Sequence, residues 1–242
     1  TIERMTARLA HRGPDFQGTF IDGPLAFGHR RLSVLDTRDV ANQPMIDDGG
    51  RFVIVHNGEI YNFRRLRDAL RDKGHAFRGG SDTEVVLAAF AEWGIEPALR
   101  AFEGMFALGI YDLRAATLVL ARDRAGKKPL YWSRRNGLFT FASEIKALDS
   151  LSPEVSPSAL LSYLQFDYVP TPNSIYEGVH KLLPGCYLCY DGSMARVESF
   201  WKLDAHKRFE GSYGEGRAAL DELLEVVLDF LSVRSNSGNR RD

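Results

Sequence analysis

The stretch Phe52-Val-Ile-Val-His-Asn-Gly-Glu-Ile-Tyr-Asn62 constrains this chain more than any other. Its first four residues, apolar and mostly β-branched, predict a short buried strand. Polar groups follow at once in His56-Asn57-Gly58-Glu59. Gly58 opens backbone angles closed to other residues and allows a second group to approach the main chain. Two readings stand side by side here. In one, Asn57-Gly58 is a turn between strand and helix. In the other, the Gly58 N–H and the Asn57 side-chain amide converge as donors on a developing oxyanion, with the Glu59 carboxylate beside them. Asn62 then reads as the N-cap of a helix over 63–73, with Phe63, Leu66 and Leu70 on one face and Gly74 as its stop.

Taken in order, residues 1–10 predict a helix with Ile2, Met5 and Leu9 on one side, broken by His11-Arg-Gly-Pro-Asp15. Leu25–Leu35 is strand-like, with charge at Arg30 and Arg31. Adjacent strand residues point to opposite faces, so one of the two is interior, and an interior arginine needs a partner. That partner is either a ligand carboxylate held bidentately or a structural aspartate, the second being the simpler expectation. Ser81-Asp-Thr-Glu84 reads as a capping box opening a helix that Gly94 ends. Asp82 is explained by the helix dipole or, functionally, as an acid aimed at a ligand ammonium.

From Met105 the pattern becomes strands: 105–111, 117–121, 129–133 and 138–141, the last two joined by Asn136-Gly137 as a hairpin. Residues 144–148 read as helical, and 157–166 as a helix with Pro157 at its first position. Lys181–Tyr190 predicts a late strand. Such an order implies an α+β fold with two antiparallel sheets. At the end, Leu220, Leu223, Leu224, Val227, Leu228 and Leu231 form a helical stripe over 215–231. Arg234–Asp242 is polar and expected to be disordered.

The composition narrows the function classes. Formal net charge is −1 over 242 residues, which leaves no basic field for nucleic acid. No apolar run is long enough to span a bilayer, and Thr1-Ile-Glu-Arg-Met5 is no signal peptide, so a cytoplasmic protein is expected. Thr1 rather than Met opens the chain, which reads as a start inside a longer product. The two cysteines, Cys186 and Cys189, have a C-x-x-C spacing without a second pair, so no metal site is expected. No phosphate loop is present; Ala125-Gly-Lys-Lys lacks its spacing.

The segments HRGPD (11–15), HRRLSVLD (29–36), QPM (43–45), NGEIYN (57–62), SDTE (81–84), GMFA (104–107), ARDRAGKKPLY (121–131), FASEIKAL (141–148) and YVPTPNSIYEGVHKLLPG (168–185) occur in that order. Together they resemble the N-terminal glutaminase domain, a class II glutamine amidotransferase domain, of glutamine-hydrolysing asparagine synthetases. The resemblance implies a four-layer α/β/β/α N-terminal-nucleophile hydrolase sandwich over 1–203. It implies that Arg31 receives the α-carboxylate of L-glutamine, that Asn57 and Gly58 form the oxyanion hole, and that Glu59 and Asp82 receive the α-ammonium.

The sequence departs from the family at both ends. The family's nucleophile is a cysteine at the mature N-terminus, followed by Gly and the first strand. Thr1 stands only ten residues before His11, within the helix after that strand, and Cys186 and Cys189 belong elsewhere. The sandwich is therefore expected to lack its first strand and to expose sheet edges. Residues 204–242 read as a remnant of the start of an ATP-dependent synthetase domain, without its S-G-G-x-D-S motif. ATP and magnesium are expected only for that missing domain; no cofactor or metal is expected in this chain. Three functional readings follow. The first is the glutaminase portion of an asparagine synthetase, inactive alone and partnered by a synthetase domain or chain. The second is a catalytically dead glutamine-binding or regulatory module that senses glutamine or pairs with a separate synthetase chain through the helix 215–231. The third is the amidotransferase part of a related synthetase acting on a sugar, peptide or β-lactam precursor.

Overall fold

The apolar run at Phe52–Val55 does not stop where the polar residues begin. In the computed structural model, β4 continues through them as Phe52–Ile60. It pairs antiparallel with β5 (Gly104–Asp112) without a bulge, from Phe52↔Asp112 to Ile60↔Gly104. Asn57-Gly58 is thus not a turn; the long-range ladder overrides the local turn signal. The structure describes residues 1–135, 137–148, 154–206 and 208–237, with 229–237 as helical backbone only. Asn136 of the expected hairpin turn and the polar ending from 238 lie outside these residues.

The two strands belong to a six-stranded sheet, ordered β11-β10-β6-β5-β4-β3. Its other members are β3 (Met45–Ile46), β6 (Thr117–Arg122), β10 (Cys186–Tyr190) and β11 (Ala195–Ser199). On one face lie α2 (Phe63–Arg71), α3 (Asp82–Trp93) and α4 (Ile95–Ala101), closed over a core that includes Ile54, Ile60, Leu70, Val86, Phe106 and Ile110. The opposite face buries Val53, Val55, Leu120 and Leu188 against Phe27, Leu130 and Leu182. Phe27 belongs to a second layer, and Leu130 and Leu182 flank its strands: the pair β1 (Phe16–Asp22) and β2 (Leu25–Arg31), and the three strands β8-β7-β9 (Leu138–Ala142, Tyr131–Arg135, Val179–Lys181). Behind that layer, Met5 of α1 (Ile2–Ala7) packs with Ala142, Ala147, Leu148 and Val179. The order helix, sheet, sheet, helix is the expected α+β sandwich. Its second layer is in two pieces, because no ladder joins β2 to β8 among the described residues. The rings of Phe27 and Phe141 meet there instead, edge to face at 5.5 Å.

Local expectations divide by whether a tertiary partner intervenes. α5 spans Pro157–Phe166 as predicted, capped by Ser156. Gly74, at φ +92, ends the helix after Asn62. Asn62 itself does not cap it: its side chain donates to the Ala101 carbonyl at 2.9 Å and accepts from the Glu103 N–H at 3.1 Å. Ser81 likewise makes no cap bond, and Glu84 reaches past it to the N–H groups of Arg78 and Gly79. α4, beginning directly after Gly94, carried no separate sequence signal. The described residues from Leu203 onward form a compact unit of their own, built on α6 (Tyr213–Ser237). There Ser212 and Glu215 make the reciprocal capping box. Arg234–Ser237, expected in the polar tail, continue this helix. Among the described residues no helix is long and apolar enough to cross a membrane.

Candidate functional site

A cavity of about 450 Å3 opens where β2, the loop after it, β4 and the first turn of α3 converge. Its walls include Arg31, Asn57, Gly58, Glu59 and Asp82, the residues singled out in the sequence.

β2 divides its two arginines as strand alternation requires. Arg31 turns inward and is buried, while Arg30 lies half-buried on the other side. Among the described residues Arg31 is not paired with an acid, contrary to the simpler expectation. Its Nη1 donates to the Asn42 side-chain oxygen at 2.9 Å and to the Arg38 carbonyl at 3.3 Å, and its Nη2 donates to the Asp36 carbonyl. The Asp36 carboxylate is engaged elsewhere, by the Arg38 Nε at 2.9 Å and Nη2 at 2.7 Å. Neutral dipoles therefore fix the Arg31 guanidinium without cancelling its charge, and the cavity wall stays electropositive there.

The edge of β4 shapes the centre of the cavity. On its β5 side, the Arg51 carbonyl accepts from Leu113 and the Tyr61 N–H donates to Glu103. The amides of even-numbered residues between them accordingly point to the opposite edge. β3 covers that edge only at Val53 and Ile54. Farther along, Gln43 Oε1 accepts from the His56 N–H at 2.6 Å, and Asp82 Oδ2 accepts from the Ile60 N–H at 2.8 Å. The Gly58 N–H lies between these two capped amides, directed off the same edge, where the cavity is. Gly58 has φ +153, and a Cβ there would meet the Met105 carbonyl oxygen at 2.1 Å. Only glycine permits the strand to pass through this point. The Asn57 side chain, on the alternate face, holds Ser143 Oγ at 3.3 Å through its amide nitrogen.

Asp82 sits in the first turn of α3, buried. Its described partner, the Ile60 N–H, is neutral, so this end of the cavity carries negative charge, with Glu59 nearby on β4. A cation, two acids and a main-chain donor thus line one cavity. That is the charge pattern of a zwitterionic amino acid bearing a side-chain carbonyl.

Two histidines line the same space. Burial pushes the His29 imidazole down to about 4 from its ordinary 6.5, and burial also lowers His56. Both rings are neutral at pH 7. His29 Nε2 lies 3.3 Å from the His56 carbonyl and donates to it. Sequence reasoning passed over His29, His56, Gln43, Asp36 and Ser143 as individual residues. All but His56, which stands just before NGEIYN, fall in one of the ordered motifs, which was the available signal.

Neither cysteine lines the cavity. Cys186 faces the core between the sheets, and Cys189 packs toward the helix-side core, on opposite faces as their offset implies. Burial raises both thiols above their ordinary range.

Residues 1–201 match the glutamine amidotransferase domain family. The chain is 40% identical over 240 residues to asparagine synthetase [glutamine-hydrolyzing] 1 of Bacillus subtilis, covering 98% of this chain and 37% of that protein. It is 33% identical over 213 residues to asparagine synthetase [glutamine-hydrolyzing] 3 of the same organism, covering 86% and 34%. It therefore spans about a third of the length of the curated relatives it matches. Among solved structures, glutamine phosphoribosylpyrophosphate amidotransferase from B. subtilis superimposes with a TM-score of 0.55 at 22% identity, over 73% of this chain and 35% of that one. At that identity the likeness concerns the fold.

Proposed function

We propose a function from one premise: the chain belongs to the glutamine amidotransferase domain family. The cavity is a binding site for L-glutamine, and the parent protein uses it to draw ammonia from the glutamine amide. One observation carries this reading. Arg31 and Asp82 line one cavity, each hydrogen-bonded to neutral groups, and the Gly58 N–H is directed off the strand edge into it. In the bound state the α-carboxylate takes the Arg31 wall, as a planar guanidinium fork favours. The α-ammonium takes the Glu59 and Asp82 wall. The amide carbonyl then reaches the Gly58 N–H and the Asn57 side-chain amide. These donors are fixed before the reaction, so a tetrahedral oxyanion forming there meets them at no reorganisation cost.

Hydrolysis requires a nucleophile at the amide carbon, and neither cysteine of this chain lies at the cavity. The 242-residue chain alone accordingly binds glutamine and releases little ammonia. Its relatives are glutamine-hydrolysing asparagine synthetases, and the fuller reaction we assign to the parent is ATP-dependent amidation of aspartate. ATP and magnesium belong to a synthetase portion, not to the cavity described above.

Calorimetric titration with L-glutamine, beside an ammonia-release assay, tests the reading. L-glutamine should bind, Arg31→Ala should abolish binding, and ammonia should stay near background. No binding to the unchanged chain would overturn the proposal. Ammonia release that Arg31→Ala abolishes would overturn the account of the nucleophile and leave the binding site standing.

A further inference from the structure

The two charged walls of the cavity come from segments far apart in sequence: Arg31 ends β2, and Asp82 opens α3. One residue joins them. The Asp36 backbone carbonyl accepts from Arg31 Nη2. Its carboxylate turns the other way, and Oδ2 accepts from the Gly80 N–H at 2.6 Å, two residues before Asp82. Oδ1 accepts from Arg38 N–H at 3.1 Å and Nε at 2.9 Å, and Oδ2 also accepts from Arg38 Nη2 at 2.7 Å. Arg38 in turn gives its carbonyl to Arg31 Nη1 at 3.3 Å. The carboxylate is nearly out of solvent, at 6% exposure. The turn it holds is built to receive it: a Cβ at Gly79 or Gly80 would approach Asp36 Oδ2 to 3.2 or 3.3 Å. That turn is braced from its far side by Arg67, which donates to the Gly79 and Ser81 carbonyls at 3.0 and 2.9 Å.

We propose that Asp36 is the positioning residue of the glutamine site, setting the separation between the Arg31 wall and the Asp82 wall. The proposal rests on the functional reading above and deepens it. Asp36 lines the cavity beside both charged walls. It acts through its carbonyl on the guanidinium and through its carboxylate on the turn that carries Asp82. A zwitterion bridging the two walls needs both charges at a fixed spacing, so a change in that spacing costs affinity even where each charge survives.

The test compares two charge-removing variants of equal chemistry in the full chain. Asp36→Asn keeps the shape and removes the charge. Asp112→Asn does the same to a carboxylate outside the cavity that also accepts two bonds from an arginine, Arg51, and two from backbone amides, Arg114 and Ala115. Both should lose some thermal stability. Only Asp36→Asn should weaken L-glutamine binding, by roughly tenfold or more, the scale of one charge-assisted hydrogen bond. In the same variant the Gly80 amide proton, shifted downfield by its short bond in the native chain, should move upfield in the NMR spectrum. Native affinity in Asp36→Asn, or an equal loss in Asp112→Asn, would overturn the proposal while glutamine binding itself stood. No binding by the unchanged chain would overturn the functional reading and this proposal with it.

Discussion

Gly58 carries two constraints at once, and either alone would fix its identity. Its φ of +153 is strained for any other residue, and a Cβ would lie 2.1 Å from the Met105 oxygen and 2.6 Å from the Phe106 Cα. Both of those neighbours are backbone of the paired strand and cannot rotate away. Gly58→Ala should therefore cost about 3 kcal/mol or more in urea unfolding, from backbone strain and overpacking together. A variant as stable as the native chain would mean that β4 does not pass β5 as described. His29 gives a second, pH-dependent expectation. The unfolded chain protonates this ring near 6.5, and the folded chain only near 4. Between those values the unfolded state binds more protons, so stability rises with pH. The contribution is complete above about pH 6.5 and is lost as pH falls toward 4, by on the order of 2 kcal/mol. His29→Gln should flatten the unfolding free energy over that window, measured as the difference between pH 7 and pH 4.5. An unchanged slope would show that His29 is not held neutral by burial.

At the scale of elements, the open edge of β4 matters most. A strand edge left bare invites pairing with another chain. Here two side chains, Gln43 and Asp82, stand in for a neighbouring strand and leave the Gly58 N–H between them. Gln43→Leu removes one stand-in and leaves the His56 N–H buried without a partner, at a cost of about 1–3 kcal/mol. Hydrogen exchange should speed up selectively at His56, while the amides of Val55 and Asn57, on the β5 side, keep their protection. Uniform acceleration along β4 would argue against a local cap. This edge also shows where the sequence could and could not be read. Phe52–Val55 announced its strand because apolar, β-branched residues need burial. The remaining half, His56–Ile60, was hidden because it is held by the ladder to β5 and by side chains from residues 43 and 82 that cap the His56 and Ile60 amides, which no local pattern displays. The acid at Asp82 was legible from its place in a first helical turn. The neutral partners of Arg31 were not, since they depend on how the loop over residues 36–42 folds back. β1 went unseen because its side chains are at most half-buried. α4 went unseen because it follows α3 across a single residue, Gly94.

For the whole molecule, the burial pattern separates what folds from what waits to be covered. Among the described residues the buried apolar clusters lie within residues 1–202, which form one compact unit. In the second unit Leu220, Leu223, Leu224, Val226, Val227 and Leu228 of α6 are all more than half exposed. A contiguous apolar stripe of that kind favours association. A chain ending at Lys202 should therefore keep a cooperative thermal transition, with a midpoint within about 5 °C of the full chain, since it retains every buried cluster. It should keep the same L-glutamine affinity, because each residue of the cavity precedes Lys202. It should also stay monomeric in light scattering at concentrations where the 242-residue chain self-associates. Loss of the cooperative transition on truncation would show that α6 stabilises the sandwich, and the apolar stripe would then have to be read as part of its core.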